Sequence, residues 1–277
     1  MIPERLALRQ VEFIPRGATV SMSVYGTQRI AIMGPARSGK SRVMRVLFGE
    51  EKPAGGHVAH SGERTRIPAG SLRRQKVQHA LRRPGAKDAA SRTTEWLVAL
   101  GLWEQRATSV GDLSYADECI VETLAALASD ADLIGLDGTL DALDPWQLPG
   151  VMQLLNAARR AGQAQIIVTS RPEIARQCDG LILMVDQDVR FAGRRDDFMR
   201  EYAPGIVRVQ TERHALVRNI VAPFRVSIES TEEGLRITAA EAQSVAARLL
   251  TEGYGDIDTV WLHPPTFEEA LRRAIKG

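Results

Sequence analysis

The sequence predicts an α/β domain built on a parallel sheet, followed by a smaller α+β module. Three observations predict it. Short apolar runs at 29–34 (RIAIMG), 132–137 (DLIGLD), 165–170 (QIIVTS) and 180–186 (GLILMVD) are each bounded by polar residues or glycine, as strands covered on both faces are. Helical spacing fills the stretches between them, so strands and helices alternate. From 205 onward the pattern changes to β-α-β-β-α-β-α, the order of a ferredoxin-like module.

Taken in order, the first residues (MIPERLALRQVEF) carry charges at Glu4, Arg5 and Arg9 and no long apolar core, so they do not read as a secretory signal. Val43, Met44, Val46 and Leu47 recur at helical spacing, as do Ile120, Val121, Leu124, Ala125 and Leu127. The helical stretch from Leu148 ends on Gly162, a C-terminal cap residue. Pro204-Gly205 then breaks the pattern, which sets the expected domains at 1–203 and 204–277. Past it, GIVRVQ, FRVSIES, GLRITA and DTVWLH read as strands, with helices at 211–220, 239–252 and 266–275.

Composition bounds the function classes. At 277 residues, 44% hydrophobic and 25% charged, the chain has the make-up of a soluble globular protein with one large domain and a small one. A net charge of +2 gives no strong pull toward nucleic acid, and none is expected as a partner. No apolar run approaches the roughly 20 residues that span a bilayer. Cys119 and Cys178, far apart in sequence, are expected to be reduced, buried thiols.

The clearest motif is GPARSGKS, Gly34, Pro35, Ala36, Arg37, Ser38, Gly39, Lys40 and Ser41, placed between an apolar run and a helix. It fits G-x-x-x-x-G-K-[ST] in strand–loop–helix context. The glycines let the backbone curl around phosphate and the helix N-terminus offers free N–H groups. Lys40 would reach the β- and γ-phosphates and Ser41 would offer its hydroxyl to Mg²⁺. Asp137, at the end of a buried strand, is the candidate metal carboxylate.

Downstream motifs resemble the ATP-binding subunits of ABC transporters over nearly the whole chain. The stretch 49–63 resembles that family's turn after the first helix, VGDLSYADE (110–118) stands where its signature L-S-G-G-Q belongs, and LIGLD is similar to its Walker B strand. DALDP, with Asp144, is similar to the D-loop, and 168–180 to the switch strand and following helix. The closing HPPTFEEALRRAIKG resembles the end of subunits that serve ABC-2-type exporters. The resemblance implies a P-loop NTPase of ABC type with ATP and Mg²⁺ as ligands, Ser41 and Asp137 holding the metal. It implies a transmembrane permease and a homodimer or heterodimer with another ATP-binding subunit as partners. It places the chain in the cytoplasm, peripheral on the inner (plasma) membrane.

Against the family pattern, the departures gather at the chemistry. Gly138 stands where the water-polarising glutamate belongs, and Arg171 where the switch histidine belongs. The signature reads Ser114, Tyr115, Ala116, Asp117, with both glycines lost and an acid added. Asp141 is a nearby carboxylate three residues beyond Gly138. The adenine-stacking aromatic is absent, Pro15 taking its place and Phe13 standing as the substitute. The helical subdomain is shortened, with the stretch 91–106 kept as its final helix. Gln75 and Gln78 are the Q-loop candidates, Gln78 preferred and a possible third metal contact. The reading is a degenerate ATP-binding subunit that hydrolyses ATP poorly or not at all. The rivals are a pseudo-ATPase scaffold in a membrane assembly and an active ATPase with an unconventional base.

Three constellations read as structural. Residues 64–87 hold eight Arg or Lys and no acid, which suits a solvated loop, or a basic face toward a permease or lipid headgroups. His57 and His60 lack companion ligands, and Trp96 and Trp103 suit packing.

Overall fold

The computed structural model describes residues 2–82, 89–203, 205–232, 234–263 and 266–276. The chain divides into two units, Met1–Gly193 and Arg194–Gly277.

The first unit begins with β1 (Glu4–Glu12), β2 (Thr19–Tyr25) and β3 (Arg29–Met33), then α1 (Lys40–Leu47), β4 (Gly55–His60) and β5 (Arg64–Arg66). A helical region follows with α2 (Val77–Ala80), α3 (Ala89–Ala99) and α4 (Tyr115–Ala128). The sheet resumes through β6 (Leu133–Asp137), α5 (Gln147–Arg160), β7 (Ala164–Val168), α6 (Pro172–Ala175), β8 (Gly180–Val185) and β9 (Asp188–Arg194). Six strands form one sheet in the order β5-β6-β7-β3-β8-β9, with β5 through β8 parallel. The four apolar runs are β3, β6, β7 and β8, and β3, β7 and β8 are buried at every position. That explains why they read as continuous rather than alternating. A second, antiparallel sheet, β2-β1-β4, shares a core with α1 and the main sheet through Leu6, Val11, Phe13, Ile32, Met44 and Ile166.

The helical region packs its own core on α4 and α5, with Leu97, Leu102, Ile120, Leu124 and Leu155 buried in it. The expected helix over 91–106 is broken. It stops at Ala99, Gly101 turns left-handed at φ 72°, and Trp103–Gln105 form a single 3-10 turn. Trp96 and Trp103 lean on that core as expected, under the guanidinium groups of Arg92 and Arg106. Gly162, at φ 102°, closes α5 as read from sequence. Cys119 and Cys178 are both buried.

The second unit comprises α7 (Arg195–Tyr202), β10 (Gly205–Gln210), α8 (His214–Val221), β11 (Val226–Thr231), β12 (Gly234–Ala239), α9 (Ala242–Glu252), β13 (Thr259–His263) and α10 (Phe267–Lys276). Its sheet runs β11-β12-β10-β13, antiparallel throughout. That order, second-third-first-fourth, is the ferredoxin-like arrangement expected from the element pattern. The boundary falls at Gly193, ten residues ahead of the expected 203/204 break. The cause is α7, whose buried Phe198 meets Phe267 of α10 edge-on at 5.7 Å, so this helix belongs to the second core.

Candidate functional site: the phosphate loop and its surroundings

The loop between β3 and α1 is curled as the motif requires. Gly34 has φ 148°, and a Cβ there would lie 2.1 Å from the Met184 carbonyl oxygen and 2.6 Å from Ser38 Oγ, so only glycine fits. Ser38 Oγ is buried and has no hydrogen-bond partner, an orphan polar atom inside the curl of a loop built for phosphate oxygens. Arg37, at the exposed apex, is held left-handed at φ 62°, strain of the sort found where a loop is shaped for a ligand.

Lys40 opens α1, and its ammonium donates to the Gly34 and Pro35 carbonyl oxygens at 2.8 and 2.7 Å. Burial pulls its pKa down, while Asp141 and Asp137 pull it back up. The side chain is folded onto its own loop. Ser41 Oγ donates to Asp137 Oδ1 at 3.1 Å. A hydroxyl and a carboxylate so placed are hard oxygen donors of the type Mg²⁺ takes. Among the described residues no group of three or more His, Cys, Asp or Glu forms a metal site. His60 is spent on the Leu47 carbonyl at 2.6 Å.

Beyond Asp137 comes Gly138, which carries no side chain to act as a base. Gly138 is left-handed at φ 78°, and a Cβ there would meet nothing within 4 Å. Asp141 is engaged elsewhere, with three hydrogen bonds. It accepts from Thr169 Oγ1, from Ser170 N at 2.7 Å and from Ser170 Oγ at 2.7 Å. These bonds tie Asp141 to the segment after β7 and leave little acceptor capacity for a water. Arg171 is likewise committed, donating from Nη1 to the Leu143 carbonyl at 2.6 Å and from Nε to Glu173 at 2.7 Å.

Ser114 caps α4, its Oγ accepting from Asp117 N at 3.1 Å and donating to Asp117 Oδ2 at 2.7 Å. Tyr115 is exposed and Ala116 half-buried, both in the first turn. Asp144 folds back on its own loop, accepting from Trp146 N and Gln147 N at 2.7 and 2.8 Å. This leaves Trp146 90% exposed.

Two expected roles change. Phe13 is 2% exposed in the core, so it cannot present a face to adenine. The side chain that the structure brings to Asp137 is Arg66, whereas Gln78 is held in the helical region by its N–H bond to the Arg106 carbonyl at 2.9 Å. Gln75 is exposed, and its carbonyl accepts from Val110 N. Arg66 ends β5 with Nη1 3.6 Å from Asp137 Oδ2, and it is held from its other side by Glu50, whose Oε1 accepts from Nε at 2.8 Å. The basic stretch 64–82 is thus partly consumed internally: Arg64 bonds the Phe48 carbonyl, and Arg73 the buried Glu118. The remainder of that stretch, 83–88, lies outside the described residues.

A phosphate loop at the C-terminal edge of a parallel sheet, with a strand-end aspartate bonded to the loop serine, defines a P-loop nucleotide-binding protein. Comparison with known proteins narrows the class. Residues 18–140 match the sequence model of the family described as ABC transporter. Curated relatives include the lipoprotein-releasing system ATP-binding protein LolD 1 of Rhodopseudomonas palustris, 28% identical over 57% of this chain and 81% of that protein. They also include the macrolide export ATP-binding/permease protein MacB of Neisseria meningitidis serogroup B, 23% identical over 76% of this chain and 37% of that longer protein. Among solved structures, an ABC transporter ATP-binding subunit superposes with TM-score 0.64 at 17% identity, covering 72% of this chain and 93% of that one. A dimeric ATP-binding cassette bound to ADP and Pi superposes with TM-score 0.59 at 20% identity, covering 68% and 98%. The match to the ABC transporter family lies within Met1–Gly193, over residues 18–140, and the fold of that unit is the one the ATP-binding subunits share.

Proposed function

We propose that the chain is the ATP-binding subunit of an ABC-2-like exporter, a subunit that holds ATP and turns it over poorly or not at all. The observation that carries this is the constellation of Lys40, Ser41 and Asp137 on an intact phosphate loop, beside Gly138 in the place of a base. ATP then acts chiefly as the bond between two nucleotide-binding chains, this one paired with itself or with a competent subunit. Ser41 and Asp137 stand at the motif's two metal positions, but Asp137 also faces the Arg66 guanidinium at 3.6 Å. In this reading the subunit sits on the cytoplasmic face of the inner membrane, held by a permease. No helix among the described residues is long and apolar enough to cross a membrane. Export is supported by the C-terminal module and by relatives such as MacB, a macrolide export protein, although an arabinose import protein is also among the relatives.

A second reading, a nucleotide-free scaffold, draws on Lys40, whose ammonium is satisfied by its own loop carbonyls. Incubation of the purified chain with radiolabelled ATP, removal of free nucleotide and identification of what remains separates the two. Retained intact ATP that is lost in Lys40→Ala is expected. Bound ADP with released phosphate overturns the silent-subunit reading, and no retained nucleotide favours the scaffold.

A further inference from the structure

Arg66 was not among the residues the sequence singled out, yet it occupies the position next to the metal carboxylate. Its place is fixed by the sheet: β5 pairs in parallel with β6, Arg66 lies opposite Gly135, and the guanidinium reaches forward to the strand-end Asp137. The side chain is 10% exposed and that of Asp137 16%. Glu50, in the turn after α1, grips the guanidinium through both carboxylate oxygens, so Arg66 is held in position rather than free to swing. Both oxygens of Asp137 are thereby engaged, one by Ser41 Oγ at 3.1 Å and the other facing Arg66 Nη1 at 3.6 Å.

This arrangement conflicts with a divalent cation on Asp137. Such an ion would share a carboxylate with a guanidinium that stays protonated in proteins. The two like charges would stand in a part-buried pocket where screening is weak. The same guanidinium is itself suited to the ligand, because its planar fork matches phosphate oxygens and it is less strongly hydrated than an ammonium.

We infer that Arg66 is a built-in cation that takes over the charge-neutralising role of the divalent metal, so that this domain binds nucleoside triphosphate without Mg²⁺. The inference rests on the nucleotide-binding reading above and adds a property to that site. It also accords with a subunit that needs ATP as an adhesive, since a metal that activates the phosphoryl group serves hydrolysis more than binding.

The test is equilibrium binding of ATP to the full chain by calorimetry, in excess EDTA and in saturating Mg²⁺, for the wild type, Arg66→Gln and the charge-balanced pair Glu50→Gln/Arg66→Gln. The pair leaves no carboxylate stranded at position 50, and circular dichroism melts check that each variant is folded. The wild-type dissociation constants in the two conditions are expected to agree within about threefold. Each folded variant is expected to bind at least ~10-fold more weakly in EDTA than in Mg²⁺, a difference of about 1.4 kcal/mol. Wild-type binding seen in Mg²⁺ alone overturns the inference and leaves the nucleotide-binding reading standing, as does a metal dependence that the variants do not change. Absence of binding in both conditions, from folded protein, refutes the nucleotide-binding reading and this inference together.

Discussion

Placing a glutamate at Gly138, which in the proposed reading stands in the position of a catalytic base, is the sharpest probe of the site, and Gly138→Glu is expected to fail as a rescue. Position 138 is left-handed at φ 78°, where a residue with a Cβ costs about 1–2 kcal/mol relative to glycine. No atom lies within 4 Å of the new Cβ, so strain is the whole penalty. For a domain of this size that corresponds to a fall of roughly 2–8 °C in the melting temperature. A well-placed general base is worth about 10²–10⁴ in rate. Here the added side chain would start in open space, and Arg171 would remain bonded to the Leu143 carbonyl and Glu173. Phosphate release at saturating ATP, with Lys40→Ala as the blank, is therefore expected to rise by less than ~10-fold. A hundredfold rise with an unchanged melting curve would refute the reasoning, because it would mean that the loop abandons the left-handed turn at no cost and that the base was the only lesion.

Other positions give simpler expectations. Trp146→Ala removes a side chain that is 90% exposed, so the melting temperature of the chain should hold while ATP-dependent self-association, followed by sedimentation velocity, weakens; unchanged association removes Trp146 from the interface. Arg29 is 1% exposed and bridges Gln165 and Asn156 at 2.8 and 3.0 Å, and burial pulls its pKa down to about 10. Arg29→Met strands both acceptors, at about 1–3 kcal/mol each, and urea denaturation should show the loss. Burial pushes the Glu122 carboxyl up, Gly70 N–H opposes this at 2.6 Å, and Glu118 adds to the rise. Its contribution to stability is therefore fully present below the usual glutamate value and is lost as pH climbs through the folded value. Glu122→Gln should match the wild type in acid and be more stable than it at neutral pH; a variant less stable at pH 7 would show that the Gly70 bond outweighs burial.

The sequence displayed the parts that are uniform along the chain. β3, β6, β7 and β8 are buried on both faces, and burial of that kind writes itself as an unbroken apolar run. The phosphate loop is local, so one motif carried it. β1 was harder because its inward parity changes. Leu6 and Leu8 are buried on one phase and Val11 and Phe13 on the other, across a register irregularity that holds Gln10 at φ 50°. That bulge turns Phe13 into the core, a fact that motif position could not convey. Arg66 was illegible for another reason. β5 is three residues long and reads Arg-Thr-Arg, so it has no hydrophobic signal, and in sequence it dissolves into a basic segment. Its partners, Glu50 and Asp137, come from the turn after α1 and from the neighbouring strand. The domain boundary slipped because α7 shows only one buried residue, Phe198, and the ring it meets lies in the last helix of the chain.

The signature position bears on whether this chain can still close over ATP held by a partner. Ser114 looked like the surviving element, but its hydroxyl proton is directed at Asp117 Oδ2 at 2.7 Å. Asp117 also accepts from Gln147 Nε2 at 3.3 Å and lies in the first turn of α4. It therefore spends the helix's positive end within the chain rather than on an incoming phosphate. In the proposed reading Asp117 thus costs the site twice, once by occupying the serine and once by its charge. Asp117→Gln should release the hydroxyl while keeping a polar partner for Gln147. One recovered hydrogen bond to a charged group is worth about 1.5–3 kcal/mol. ATP-dependent dimerisation of the purified chain, read by sedimentation equilibrium, should then tighten by roughly 10–100-fold. The variant has a cost to set against this, because Asp117 is a favourable charge at a helix N-terminus, worth about 0.3–1 kcal/mol, so a small drop in melting temperature should accompany the gain. A drop in melting temperature with no tighter dimer would mean that Tyr115 and Ala116, where the two glycines are missing, hold the backbone off the phosphate by themselves.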